Sequence, residues 1–563
     1  MRRKWKKPLA LFAALTMAGS LLAGCGSSSG GDTAESAAPA ESAAPAAEES
    51  AAAGEEGTTT AAAEEVSYPL SEGGSLTYWL QLNPNVSANF TNLGDTELGK
   101  AWQENTGVTV EFQHPASGQE NEQFNLIVAD GNLPDIMEWQ WLNSYPGGPE
   151  KAIDDGVIIA LNDIIDQYCP NLKKYLEENP DIDKMVKTDE GHYYAFPFIR
   201  GEAGLCYTVG GFIRQDWLDE LGLEVPTTID EWHTVLTAFK EEKGAEAPLC
   251  FDWTNFKKSN PIAFAYGVGT ANNSNFFLDE NGEVQFYASQ DNYKAYLQTL
   301  NQWYNEGLID RDLATLNGDQ VTSKMTTDKA GASVGWAASR MQVMITTAQT
   351  SNPDYSLVPT PTPTLNAGET PVYGFMENQF PDVGAAITTS CENVELAARF
   401  LDYGYSEEGH DMFNFGIEGV SYNWDGDHAV YTEEVTNNPD GWPLAQALGK
   451  YIRANYNGPF VQDINYLEEY LQVDTVKECP TVWAVDTAAE HTMPNVTPTQ
   501  EESDELATIQ NELNTYVDEM TLKFIFGTES FDNWDSYIQT LNDLGLERAL
   551  EIERGALERY NAR

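Results

Sequence analysis

Apolar residues recur along this chain either at every second position, as in half-buried strands, or at the 3.6-residue spacing of a helix face. Residues 96–141 show the two patterns in succession. Leu98 and Trp102 share a helical face that stops near Gly107, and residues 108–112 then alternate as a strand. Phe124, Leu126, Ile127 and Ala129 give the next helix its apolar side, and Gly131 ends it at the left-handed position favoured by a C-cap. Residues 133–137 follow as a short buried strand entered through Pro134. Strand, helix and strand in this order predict a parallel pair with a right-handed crossover. Such sheets bind ligands beyond the carboxyl ends of their strands, which is where Trp139 and Trp141 fall.

The same periods continue downstream. Residues 205–209 alternate as a strand. Thr228 and Glu231 form a capping box in front of a helix whose Trp232, Val235, Leu236 and Phe239 face a core. Tyr296, Leu297, Leu300 and Trp303 give residues 292–305 another inward stripe. Residues 331–336 predict a buried strand in which Gly335 lets the backbone approach something beyond it. Residues 383–387 form a strand and 393–402 the helix after it. Near the end, Thr499 caps with Glu502, and Leu506, Ile509, Leu513, Val517, Met520 and Phe524 keep one face apolar up to Gly527.

The first 65 residues obey neither period. Residues 1–7 hold five basic side chains, residues 9–22 form an apolar run, and Leu22-Ala23-Gly24-Cys25 has the small residues and cysteine of a lipoprotein cleavage box. The run is shorter than the roughly 20 apolar residues of a spanning helix, so residues 1–25 are expected to be a signal peptide with lipid on Cys25. Residues 26–66 are almost wholly Ala, Ser, Glu, Gly, Pro and Thr, which cannot bury a core and predict a disordered linker. Acyl chains on Cys25 would hold the protein to the membrane at its extracellular face.

Composition narrows the partners. With 31 basic and 88 acidic residues the net charge is −57, which argues against nucleic acid and against an anionic lipid surface. About 500 residues remain for folded structure, enough for two domains. Cys169, Cys206, Cys250, Cys391 and Cys479 are widely spaced without a C-x-x-C, so they are expected as small core residues rather than a zinc site or a dense disulfide frame, with one or two disulfides left open.

Several segments together resemble one family. They are Glu104 to Val110, Ala129 to Ile136, Gly191-His192-Tyr193-Tyr194-Ala195-Phe196-Pro197, Glu306 to Asp310, and Gly416-Ile417-Glu418-Gly419-Val420-Ser421-Tyr422-Asn423-Trp424. The most specific is Arg214 to Trp232, with Asp216, Trp217, Gly222, Pro226 and Thr228 in place. These stretches are similar to bacterial extracellular solute-binding proteins of the carbohydrate type, in the large lipoprotein subgroup that serves ABC importers. The resemblance implies an α/β, two-lobed, periplasmic-binding-protein-like fold of type II. Each lobe would be a mainly parallel sheet flanked by helices, with the ligand cleft between lobes. Residues 67–200 with 383–440 are expected in the first lobe, and 201–382 with 441–563 in the second. It further implies a monomer that binds an oligosaccharide and delivers it to ABC transporter permease subunits, without a cofactor and without catalysis.

A sugar offers apolar C–H faces and a rim of hydroxyls, so its site needs aromatic planes beside amides and carboxylates. Trp139, Trp141, Tyr194, Trp253, Trp336, Glu418, Tyr422 and Trp424 stand at loop-like or polar-flanked positions and are the expected ligand contacts. In maltose-type relatives an aromatic residue matching Trp336 stacks on a sugar ring. The alternatives are an oligopeptide-binding lipoprotein, a lipoprotein that presents a ligand to a sensor kinase, and a glycoside hydrolase. No His-Glu-x-x-His or Walker loop supports catalysis. Some oligosaccharide-binding relatives carry a structural calcium, and Asp181, Asp183, Asp189 and Glu190 alternate much as a calcium loop does, although Met185 and Val186 depart from that pattern.

Overall fold

A computed structural model of the chain describes residues 66–563 apart from 258, 270–274 and 455–456. The expected signal peptide, Cys25 and linker therefore lie outside the described residues, save for Val66. Its strands are β1 (Gly74–Leu80), β2 (Val108–Gln113), β3 (Ile136–Trp139), β4 (Phe196–Pro197), β5 (Ile199–Arg200), β6 (Val209–Arg214) and β7 (Phe276–Leu278). After these come β8 (Val284–Phe286), β9 (Ala332–Trp336), β10 (Leu357–Thr360), β11 (Gly384–Ile387), β12 (Tyr422–Asp425), β13 (His428–Tyr431) and β14 (Val461–Gln462).

The larger sheet has the order β2-β1-β3-β11-β4. Helices Glu97–Thr106 and Glu120–Asp130 form where the apolar spacing predicts helices, and Gly107 and Gly131 end them in the left-handed conformation. Of the second helix's expected inward face, however, Phe124 is buried and Ile127 half-buried, while Leu126, 60% exposed, and Ala129 face outward. The expected parallel relation of β2 and β3 holds in direction but not in adjacency. Both pair in parallel with β1, which lies between them. The reason is burial: Leu76, Tyr78, Trp79 and Leu80 of β1 are all buried, as a central strand covered on both faces requires.

The smaller sheet, β10-β6-β9, is antiparallel throughout, and β11 also runs antiparallel to β3 and β4. The expectation of a mainly parallel sheet is thus corrected for the smaller sheet, whereas in the larger β1, β2, β3 and β4 all run one way and β11 alone is reversed. All six residues of β6 are buried, and a strand covered on both faces reads as one apolar run whichever way its neighbours point. The strand expected at 205–209 is also displaced: Ala203–Cys206 is a 3-10 turn and β6 begins at Val209. Gly210 of β6 has a specific reason to lack a side chain, because a Cβ there would meet the Trp483 indole at 2.4 Å.

Separate cores surround the two sheets. Around the larger, Trp102 stacks on Phe400 at 4.5 Å and meets Phe413 edge-on. Around the smaller, Phe212 packs with Met341, Met344, Ile345 and Trp483, while a third core joins the helices Ile229–Glu241, Asp291–Glu306, Gln500–Phe526 and Leu546–Ala562. The stretch after residue 441, expected in the second lobe, is shared between the cores of the two sheets. Leu448, Tyr451, Ile452, Phe460 and Tyr466 pack into the core of the larger sheet, and Leu471, Val476 and Cys479 into that of the smaller. Helix Ile464–Tyr470 makes the crossing, since its Leu467 and Tyr470 touch both cores. All five cysteines are buried and free, as expected of core residues.

The four acids considered for calcium do not converge on one point, and two of them are engaged by cations. Asp181 and Asp183 lie in helix Pro180–Met185, where residues two apart point away from one another. Asp183 bonds to Lys187 Nζ at 2.6 Å and to the Tyr193 hydroxyl. Asp189 accepts from Arg563 Nη2 and Nε at 2.6 and 2.9 Å and from Arg559 Nε at 3.2 Å, and Arg563 Nη1 takes the Lys187 carbonyl at 2.6 Å. Side-chain cations thus hold Asp183 and Asp189, two of the four acids. Among the described residues the one grouping of metal-capable side chains is Glu150, Glu190 and His192, in which His192 Nδ1 is bonded to Glu150 at 2.9 Å.

Candidate functional site

An open cleft of about 800 Å³, its mouth included, forms where the short parallel pair β5–β14 meets the entry to β6. Its aromatic and polar walls come from separate parts of the chain. From the larger sheet's side come Phe198 and Arg200, and from the entry to β6 come Leu205, Tyr207 and Thr208. Trp336, the last residue of β9, stands opposite Val209 in the sheet register, and a π-helical turn, Ala337–Gln342, follows it and contributes Ser339. Helix Ile464–Tyr470 presents Tyr466 and Tyr470, four residues apart and so on one face, with their rings stacked at 5.5 Å. Gln462 closes the wall and donates to the Ala454 carbonyl.

One ion pair stands in this cleft. Arg200 Nη2 lies 2.8 Å from Glu377 Oε2, and Arg200 Nη1 donates to the Asn378 carbonyl at 2.8 Å. The Glu377 carboxylate also accepts from the Thr208 hydroxyl at 3.1 Å, and its backbone N–H donates to the Cys206 carbonyl. Both charged side chains are mostly buried, so they are held by one another and by backbone rather than by water.

A second, smaller cavity of about 460 Å³ lies beyond the carboxyl ends of β1 and β3, lined by Gln81, Glu138, Trp139, Gln140, Val383 and Asn457. Trp139 meets Trp79 edge-on at 5.8 Å and its Nε1 donates to Asn121 Oδ1 at 3.1 Å. Beneath it, Glu138 takes two bonds from Arg453, at 2.5 and 3.1 Å, and one from the Tyr78 hydroxyl at 2.6 Å. This buried pair ties the segment after residue 453, which lines both cavities, to the end of β3.

Of the residues expected at the ligand, Trp336 lines the larger cleft and Trp139 the smaller cavity. Trp141 does not reach either: it has no exposed surface, lies edge-on to Phe124 at 5.2 Å and donates to the Met137 carbonyl. Tyr194 is likewise in the core, against Phe380, where burial pushes its phenol well above the usual tyrosine range. Trp253 packs against the helical core, next to Phe256. Glu418 is exposed, while Tyr422 and Trp424 sit on the β12–β13 hairpin, Tyr422 buried and Trp424 open to solvent. That hairpin packs on helix Ile464–Tyr470 through His428, which bonds to Asn465 and Glu469, and none of Glu418, Tyr422 and Trp424 lines either cavity. Sequence reasoning missed Arg200, Tyr207, Glu377, Gln462, Tyr466 and Tyr470. Only the i, i+4 tyrosines on a short helix could have pointed to a shared face.

The arrangement suits a polar solute with apolar faces: aromatic planes, neutral hydroxyl and amide groups, and one closed ion pair. It resembles known proteins in sequence and in fold. The chain is 26% identical over 531 residues to the fructooligosaccharide ABC transporter substrate-binding protein FusA of Streptococcus pneumoniae serotype 4, covering 89% of this chain and 93% of that one. Its fold matches an HMO-binding, ABC-transporter-associated solute-binding protein of Bifidobacterium longum infantis with a TM-score of 0.71, at 23% identity over 87% of this chain and 99% of that one. It also matches the alginate-binding protein AlgQ2 with a TM-score of 0.68, at 24% identity over 88% and 100% of the two chains. Residues 88–411, more than half of the chain, match the family described as bacterial extracellular solute-binding protein. The chain belongs to that family.

Proposed function

We propose that this protein captures an oligosaccharide in the cleft between Trp336 and the Tyr466–Tyr470 stack and delivers it, unaltered, to the permease subunits of an ABC transporter. The observation that carries the reading is the convergence of these three rings on one open cleft with Thr208, Ser339 and Gln462 at its rim. A pyranose or furanose ring can lie on the aromatic planes while its hydroxyls meet the polar groups. FusA, whose name assigns it fructooligosaccharides and an ABC transporter, supports both the ligand class and the partner. The cleft opens where the chain passes between the two sheets, at β5, at 377–383 and at helix Ile464–Tyr470. A rotation there would close the two lobes on the solute and present a closed surface to the permease. Lipid on Cys25 would keep the protein at the extracellular face of the cell membrane, where it acts as a monomer.

A thermal-shift screen of the purified protein against neutral oligosaccharides, oligouronates and short peptides tests the reading. A ligand that binds only the folded state raises the midpoint by mass action. A rise with a glycan that is recovered intact is the expected result. A rise with peptides alone would make this an oligopeptide-binding protein, and cleavage of the glycan would make it an enzyme.

A further inference from the structure

The fold does not decide the charge of the ligand, because it is shared by an alginate-binding and an HMO-binding protein. The cleft does. Resting on the oligosaccharide reading above, we propose that Glu377 is a specificity-determining residue, which closes Arg200 to carboxylated sugars and makes the cleft selective for uncharged glycans.

Among the described residues that line the cleft, Arg200 is the sole cation. It is not available to a ligand carboxylate. Glu377 holds Nη2 at 2.8 Å and the Asn378 carbonyl holds Nη1, with the two side chains only 15% and 13% exposed. An acidic sugar entering here would either bring an uncompensated charge into a partly desolvated cleft or displace Glu377, which would then be the unpaired charge. Thr208 donates at 3.1 Å to the same Glu377 oxygen, Oε2, that faces Arg200, and makes that displacement harder. The remaining polar lining groups, among them Thr208, Ser339 and Gln462, can pair with sugar hydroxyls without carrying charge. The field of a chain at −57 adds to the exclusion.

The test is calorimetric titration of the whole protein with length-matched neutral oligosaccharides and oligogalacturonates, repeated for Glu377→Gln. Glutamine keeps an acceptor for Arg200 and Thr208 but leaves the guanidinium charge uncompensated. Wild type is expected to bind its best neutral glycan at least tenfold more tightly than any oligouronate, and Glu377→Gln to narrow that ratio at least tenfold, an effect that rising salt reverses. The double variant Arg200→Gln/Glu377→Gln, with no charge to expose, is expected to regain the wild-type preference. Wild type binding oligouronates as tightly as neutral glycans would overturn the selectivity while leaving the oligosaccharide reading intact. An unchanged ratio in Glu377→Gln would overturn the role of Glu377. Binding of neither glycan class would overturn the reading on which both rest. If Glu377→Gln does not fold, the wild-type ratio and the double variant decide.

Discussion

Trp139 and Trp141 are two residues apart, and the structure gives them opposite fates. β3 ends at Trp139 and a short helix, Trp141–Ser144, begins at Trp141, so the alternation that would have kept the two on one face is broken between them. Trp139 turns to the cavity and Trp141 into the core beside Phe124 and Tyr145. Replacing Trp141 by alanine is therefore expected to cost about 3–5 kcal/mol of stability through the space it leaves. Chemical denaturation measures this, and a loss under about 1 kcal/mol would place the side chain outside the core. The candidate site was only partly legible for the same kind of reason. Composition marks an indole as valuable anywhere, whereas the direction of a side chain depends on where an element stops. Trp336, expected at the ligand through the resemblance to maltose-type relatives, does line the larger cleft, whereas Arg200 and Glu377 could not be read, being brought together across 177 residues of sequence.

At the scale of elements, sequence legibility followed local chemistry. The Thr228–Glu231 capping box, the glycine C-caps and the apolar stripes of the long helices are where the pattern puts them, because each depends on residues within one or two turns. Strand adjacency and direction depend on partners far along the chain, and there the parallel expectation gave way in the smaller sheet. Long-range ties also decide how the last helix is held. Leu546–Ala562 belongs to the helical core, yet Arg559 and Arg563 reach Asp189, and Arg563 reaches the Lys187 carbonyl, in a segment whose Ile182 and Val186 lie in the core of the larger sheet. With its side chain 2% exposed, Arg563 is a buried strap between the two. Arg563→Ala is expected to lower stability by about 3 kcal/mol by leaving Asp189 short of its partner. A chelator is expected to leave the melting temperature of the wild type unchanged. A fall of several degrees with chelator, reversed by calcium, would restore a metal to the 181–190 segment.

Over the whole molecule, charge sets a pH dependence with a definite sign. Burial pushes Glu553 up to about 7, Asp402 to about 6 and Asp382 to about 8, although backbone N–H groups of Leu172 and Asn171, and of Leu142 and Asn143, oppose the shift at the two aspartates. In the unfolded chain these groups release their protons near pH 4. Between about pH 4 and 8 the folded state holds protons that the unfolded state has lost, so stability falls as pH rises through that window. Below it the sign reverses, because Glu231 and Glu502 at the capping boxes and Asp279 in its turn are held below the usual range by the N–H and hydroxyl groups they accept from. Melting temperature is therefore expected to peak near pH 5 and decline toward pH 8. Glu553→Gln, which keeps an acceptor for Gln510, is expected to flatten the decline. A melting temperature that rises steadily from pH 5 to 8 would contradict this assignment.

The account of function turns on one place, the cleft under Trp336. The measurement that tests it most directly is a calorimetric titration of wild type and Trp336→Ala with whichever glycan raises the melting temperature. Trp336 is only partly buried at the end of β9, so its removal is expected to leave the unliganded fold standing while lowering affinity by at least tenfold, about 1.4 kcal/mol or more. Wild-type affinity in a folded Trp336→Ala variant would contradict the account and move the sugar to another part of the molecule.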